Sequence, residues 1–202
     1  MLSAGEKAQL IKAEAHRLGF LACGVARAQF LAEEAPRLEQ WLSTGKHGSM
    51  GYMANHFDLR LDPRKLVPGA RSVISLAYNY HTPPLQQDAT APKLSTYAYG
   101  RDYHKVLRKR LKPLLQFMTA RFGAVELRAF VDSAPVMEKV WAQRSGVGWV
   151  GKHTNIVRQG AGSWFFLCEV FTIGLLFGYL RYRFNSTWLT VVLHALNNLA
   201  AA

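Results

Sequence analysis

Cysteine is nearly missing from this chain: Cys23 and Cys168 are the two among 202 residues, each inside an apolar run. Two isolated thiols exclude a disulfide framework and a tetrathiolate zinc site, and an iron–sulfur cluster takes about four thiolates. They read as small buried hydrophobes in a reducing, cytoplasmic compartment. Acidic residues are scarce as well: 13 Asp+Glu against 25 Lys+Arg leave a formal charge of +12. Such an excess points to a polyanionic partner, nucleic acid first and an anionic membrane surface second. The opening residues Met1 to Lys7 lack the charged-then-apolar order of a signal peptide. His47, His56, His81, His104 and His153 show no metal-ligand spacing, so no metal site is expected, and there is no internal repeat. What the chain does have is apolar substance, 50% of all residues with 12% aromatic, enough for one domain and an appendage.

Strand and helix signals alternate along the chain. Ser3 and Glu6 form a capping-box pattern ahead of Leu10, Ile11, Ala15 and Leu18, and Gly19 closes that helix. Residues 20–25 read as a short buried strand, 31–44 as a second helix, and 72–80 as a strand flanked by turn residues. A long basic helix is predicted over 101–122, carrying Lys105, Arg108, Lys109, Arg110, Lys112 and Arg121, with a kink or break at Pro113. Residues 125–131 alternate as a strand, and Pro135 suits the first turn of the next helix. The predicted fold is α/β: a mixed sheet with helices on both faces, plus an apolar helical C-terminal tail.

Asp132 is the candidate catalytic acid. It follows the apolar Ala129-Phe130-Val131, where a strand meets a helix, a position that equally suits an N-cap. A carboxyl that donates a proton needs a raised pKa, which burial against an apolar cofactor face supplies. Gly146-x-Gly148-x-x-Gly151 spells the dinucleotide fingerprint, but a helix precedes it and extended chain follows, the reverse of what pyrophosphate binding requires. Those glycines are expected instead to let backbone pass close to something flat.

Composition shifts from Ser163 onward. Glu169 is the one formal charge among the eighteen residues 163–180; Arg181 and Arg183 follow, and 186–202 carry none apart from His194. Two apolar stretches split by a basic turn have the makings of a helical hairpin, in a membrane or buried. His194 and Asn198, four apart, share one helix face.

Several blocks in order resemble one family. They are residues 47–53 (His-Gly-Ser-Met-Gly-Tyr-Met), Arg60-x-Asp62-Pro63, 67–74 (Val-Pro-Gly-Ala-Arg-Ser-Val-Ile) and 99–104 (Tyr-Gly-Arg-Asp-Tyr-His). Two more are 131–138 (Val-Asp-Ser-Ala-Pro-Val-Met-Glu) and 146–155 running on to 162–167 (Gly-Ser-Trp-Phe-Phe-Leu). Together they make residues 17–170 similar to the N-terminal, cobalamin-binding domain of epoxyqueuosine reductases, which complete the tRNA nucleoside queuosine. The resemblance implies cobalamin as cofactor, reduction of the epoxide by low-valent cobalt, and Asp132 as proton donor to the departing oxygen. It also implies that Arg60, Tyr99, Asp132, His153, Ile156, Gln159, Ser163 and Leu167 line the corrin, many through backbone atoms. The anticodon stem-loop of tRNA would be the partner, met by the basic helix from Arg101, and a monomer is expected.

The family continues into a ferredoxin-like domain with two four-iron clusters; Cys23 and Cys168 are too few to hold even one, so electrons would come from an external reductant. Residues 171–202 instead resemble the C-terminal end of CAAX-protease-like intramembrane proteases, whose last motif has a His with an Asn four residues on, as His194 and Asn198 stand. The earlier motifs of that family are missing. The expected organisation is therefore a cobalamin-binding domain over 1–170 and a foreign apolar tail over 171–202, joined near 169–173. A binding module without turnover of its own, or a membrane-anchored fusion, are the alternatives.

Overall fold

The computed structural model describes residues 2–83, 88, 90–123 and 125–173. Helix α1 (Ala4–Arg17) opens as its capping box predicts: Ser3 Oγ accepts from the Glu6 amide at 3.2 Å, and Glu6 accepts from the Ser3 amide at 2.7 Å. Strand β1 (Ala22–Arg27) follows, then α2 (Ala35–Ser43), α3 (Phe57–Leu61) and α4 (Pro63–Leu66). Next come β2 (Ala70–Asn79), α5 (Tyr103–Phe122), β3 (Glu126–Phe130) and α6 (Glu138–Arg144). A small hairpin, β4 (Trp149–Val150) with β5 (Ile156–Val157), precedes the last described strand, β6 (Phe165–Ile173).

The main sheet has four strands in the order β1-β2-β6-β3, and each of its ladders is antiparallel. The mixed sheet expected from sequence is thereby corrected. β2 and β3 do run the same way, connected through α5, but β6 lies between them antiparallel to both. Alternation then sorts side chains by face. On one face Ile74, Leu76, Cys168 and Val170 pack with Ile11 and Ala15 of α1 and with Leu107, Leu111, Leu114 and Met118 of α5. On the other, Val73, Phe171 and Ile173 pack with Leu38 of α2, Leu61 of α3 and Trp141 of α6. Ala77 and Phe165 continue that second face against Ala142, Val147 and Ile156. Helices thus cover both faces, as expected.

Helix α5 crosses Pro113 without a break, because its inward residues 107, 111, 114 and 118 keep helical spacing on both sides of the proline. Helix α6 packs so close to β1 that a Cβ on Gly24 would meet the Ser145 carbonyl at 2.3 Å. Strand β6 runs through residues 171–173, and Phe171 is fully buried, so the sheet includes three residues past the expected boundary. The apolar tail with His194 and Asn198 lies outside the described residues, among which no helix is long and apolar enough to cross a membrane.

Candidate functional site

The site forms where β3 ends. Phe130 pairs with Glu169 of the central strand, Val131 is buried, and the chain then turns sharply at Asp132, whose φ is 51°. That left-handed conformation suits Asp better than most residues. It also overturns two sequence expectations. Helix α6 begins at Glu138 with Met137 as N-cap, so Pro135 is not in its first turn and Asp132 does not cap it. Pro135 instead occupies an irregular bend over 132–137, which frees the Asp132 carboxylate to turn toward α5.

There it meets two partners. The Tyr103 hydroxyl donates to Asp132 Oδ2, and His104 Nε2 lies 3.7 Å from the same oxygen. The other imidazole nitrogen, Nδ1, is 3.0 Å from Asp102 Oδ1, and Asp102 also caps α5 by accepting the His104 amide at 3.0 Å. His104 therefore spans two aspartates, and the N-terminus of α5 is tied to the end of β3. The Tyr103 ring stacks on Phe166 of β6 at 4.1 Å and 6°. Phe166 lies 4.6 Å from Tyr80, which meets Trp164 edge-on at 6.1 Å. An aromatic row thus leads from Asp132 across the sheet end to the exposed Trp164.

Two more carboxyls stand behind Asp132. Burial, then the charge of Asp132 and a hydrogen bond with it, push the Glu138 carboxyl up to about 8. Glu169 is fully buried, and burial, then Glu138 and Asp132, hold its carboxyl well above the usual range. Neither of its oxygens has a hydrogen-bond partner, nor has Ser75 Oγ directly across the ladder. The Tyr103 phenol is raised as well, chiefly by burial and secondly by its bond to Asp132, so it stays a donor. Sequence reasoning gave no role to Tyr103, His104, Glu138 or Glu169. The signal for Glu169 was its place as the sole charge in an apolar strand.

The other expected residues fall in separate places. Arg60, on α3, donates to the Asn55 and Tyr52 carbonyls of its own loop at 3.4 and 3.3 Å. Tyr99 is half-buried just before α5, and His153 is exposed in the β4–β5 turn. Gln159 is exposed and Ser163 half-buried in the loop ahead of β6. Ile156 is buried beside Leu167 in one apolar cluster, so its side chain supports the surface from beneath. The glycine-rich return lies between α6 and β4, not at a helix start. What passes close to Gly148 is this chain's own β5: an added Cβ would meet the Val157 carbonyl at 2.3 Å.

A corrin-sized group needs a broad apolar bed beside a few polar groups. Residues 149–164 expose Trp149, Val150 and Trp164 by 48, 44 and 46%, and the Asp132 carboxylate opens to solvent at the end of the aromatic row. These residues fit cobalamin. They do not fit a four-iron cluster: Cys168 is fully buried, and burial pushes the Cys23 thiol up to about 12, so neither is a ready thiolate.

Residues 60–133 match the family model described as Epoxyqueuosine reductase QueG, DUF1730, and residues 128–200 match that of Type II CAAX prenyl endopeptidase Rce1-like. The epoxyqueuosine reductase of Cellulophaga algicola is 57% identical over 161 residues, which are 80% of this chain and 52% of that protein. The solved epoxyqueuosine reductase of Streptococcus thermophilus superposes with a TM-score of 0.74 at 24% identity, over 81% of this chain and 45% of that one. A crystal structure of epoxyqueuosine reductase with an epoxyqueuosine-modified tRNA-Tyr stem loop gives 0.69 at 25% identity, over 81% and 44%. The chain spans about half the length of the curated relatives it matches, and over that half it is similar to the epoxyqueuosine reductases in both sequence and fold.

Proposed function

We propose that this chain acts as the cobalamin-binding, tRNA-engaging part of an epoxyqueuosine reductase, converting epoxyqueuosine in tRNA to queuosine. The observation that carries the reading is Asp132: a carboxyl at a strand end, open to solvent on one side and held by Tyr103 and His104 on the other. The relatives' name and the neighbour's bound tRNA stem loop support the substrate. Cobalamin, when bound, would supply low-valent cobalt as the reductant for the epoxide. Arg60, Tyr99, Asp132, His153, Ile156, Gln159, Ser163 and Leu167 would hold the cofactor, largely through backbone. Asp132 donates the proton that the departing oxygen takes as its carbon–oxygen bond breaks. Tyr103 and His104 fix the orientation of that carboxyl. Basic side chains along α5 meet the phosphates of the anticodon stem-loop, and tRNA as substrate implies a cytoplasmic setting. The chain acts as a monomer, and the sequence that follows β6, from residue 174 on and not from 171, is an appendage of separate origin that can anchor it to a membrane.

The cysteine pair supports a second reading, a module that binds cobalamin and tRNA but turns over only when an external reductant supplies electrons. The test is a cobalamin titration of the purified chain, followed by absorbance and by electron paramagnetic resonance of the cob(II) state. Turnover of epoxyqueuosine-tRNA with a chemical reductant then separates the readings. Saturable binding with reductant-driven turnover supports the enzyme; binding without turnover supports the module; no binding removes both.

A further inference from the structure

Beside the aromatic row, the end of β2 and the turn ahead of β6 enclose a cleft of about 400 Å³, lined by Leu21, Asn79, His81, Gly160, Ala161 and Trp164. Main-chain bonds fix its walls. The turn closes where the Arg158 amide donates to the Gly162 carbonyl at 2.8 Å and the Gly162 amide returns to the Arg158 carbonyl at 2.9 Å. The Tyr80 amide donates to the Trp164 carbonyl at 3.1 Å, and the Leu21 amide to the Ala77 carbonyl at 2.8 Å. The Trp164 indole meets Tyr80 and His81 at 67° and 79°, with centroids 6.1 and 5.4 Å away, and the residue stays 46% exposed. Asn79 Oδ1 accepts the His81 amide at 2.9 Å, and no described residue takes the two N–H donors of that carboxamide.

The lining carries no Lys, Arg, Asp or Glu, so the cleft itself is no phosphate or carboxylate site. Cations stand outside it: the Arg110 guanidinium lies 5.5 Å from the centre of the Tyr78 ring, and Lys105 and Arg108 are exposed along α5. An uncharged cleft with one indole and a free carboxamide, on a chain of charge +12, suits a flat heterocycle whose phosphates lie on the basic side chains nearby. We propose that this cleft is a nucleobase subsite: an unpaired uracil or guanine of the RNA loop stacks on Trp164 and accepts from the Asn79 carboxamide. The inference rests on the reading of the chain as tRNA-engaging, and adds a base contact to the phosphate contacts of α5. Uracil and guanine present carbonyl acceptors, whereas adenine presents an amino donor that would face the Asn79 donors. The row of rings from Trp164 through Tyr80, Phe166 and Tyr103 ends at Asp132, so the base held here is a loop neighbour of the nucleoside that reacts.

Fluorescence anisotropy with labelled RNA tests the subsite on the full chain, without cobalamin. The probes are single-stranded uridine and adenosine pentamers and an unmodified anticodon stem-loop. Trp164→Ala is expected to weaken the uridine pentamer and the stem-loop about 5- to 100-fold, the worth of one stacked base. The slope of affinity against salt is expected to stay as in wild type, because no phosphate contact is lost. Trp164→Phe is expected to stay within about three-fold of wild type, with circular dichroism showing both variants folded. Asn79→Ala is expected to erase the preference for uridine over adenosine. Affinities within two-fold of wild type in Trp164→Ala, or a wild type that prefers adenosine, overturn the proposal. A parallel cobalamin titration separates the other flat occupant: weaker cobalamin with unchanged RNA affinity in Asn79→Ala and Trp164→Ala gives the cleft to the cofactor and overturns it as well. A uridine pentamer that binds through Trp164 while epoxyqueuosine-tRNA is never reduced keeps the subsite and removes the reductase. Reduction with an RNA affinity indifferent to Trp164 does the reverse.

Discussion

At the scale of single residues, Asp132 is the proposed proton donor, and its backbone shows that the sequence located the strand end but not the conformation of the residue that follows it. The apolar run 129–131 makes the strand end legible, and Asp there reads equally as a helix cap. Its φ of 51° and the delayed start of α6 release it from capping. Replacing Asp132 by Ala is expected to leave cobalamin affinity within a few-fold and to lower reductant-driven turnover about 10²–10⁴-fold, measured by tRNA nucleoside analysis. Unchanged turnover would take Asp132 out of the mechanism. Glu169 gives a prediction about stability. Its folded pKa lies above the unfolded value, so the native state binds the extra proton and stability falls as pH rises past the unfolded value of about 4.5. Glu138 adds a fall in the same direction, ending near pH 8. Glu169→Gln is therefore expected to raise the urea midpoint more at pH 8 than at pH 5. Equal shifts at both would mean that Glu169 ionises freely.

Among the elements, those with a long apolar or amphipathic signature were legible, including α1 with its capping box, β2, α5 and β3. The site was only half legible, because its parts come from four elements: α5, the end of β3, α6 and β6. Tyr103 is 29 positions before Asp132 in sequence, and nothing in local patterning says that its hydroxyl reaches that carboxylate. Glu169 stood out as a charge in an apolar run, but its meaning needs β3 and α6 on either side. Pro135 misled because a proline that begins a helix and one that shapes a bend look the same in sequence. Strand β6 also revises where a cut should fall. A chain ending after Ile173 is expected to unfold cooperatively, followed by circular dichroism. One ending after Leu167 loses Cys168, Val170 and Phe171, three residues of zero exposure, and is expected not to fold. Equal folding of both would show that the outer half of β6 contributes little.

For the whole molecule, the charge of +12 is the property most open to measurement. Helix α5 buries Leu107, Leu111, Leu114 and Met118 and leaves Lys105, Arg108, Lys109 and Lys112 exposed. If these side chains meet phosphate, stem-loop affinity should fall linearly with salt on logarithmic axes. Changing both Arg108 and Lys112 to Ala is expected to reduce that slope by about one to two and to weaken unmodified and modified stem-loops alike. A slope unaffected by the pair would place the RNA on another face. The same sheet order that positions Asp132 also dictates when the protein can form. Strand β6 is central yet comes last among the described strands, and it pairs with β2 nearly a hundred positions earlier. During synthesis β1 can pair with β2 early, but the edges of β2 and β3 that β6 fills stay open until Ile173 has been made, so a nascent chain is exposed to mispairing over that interval.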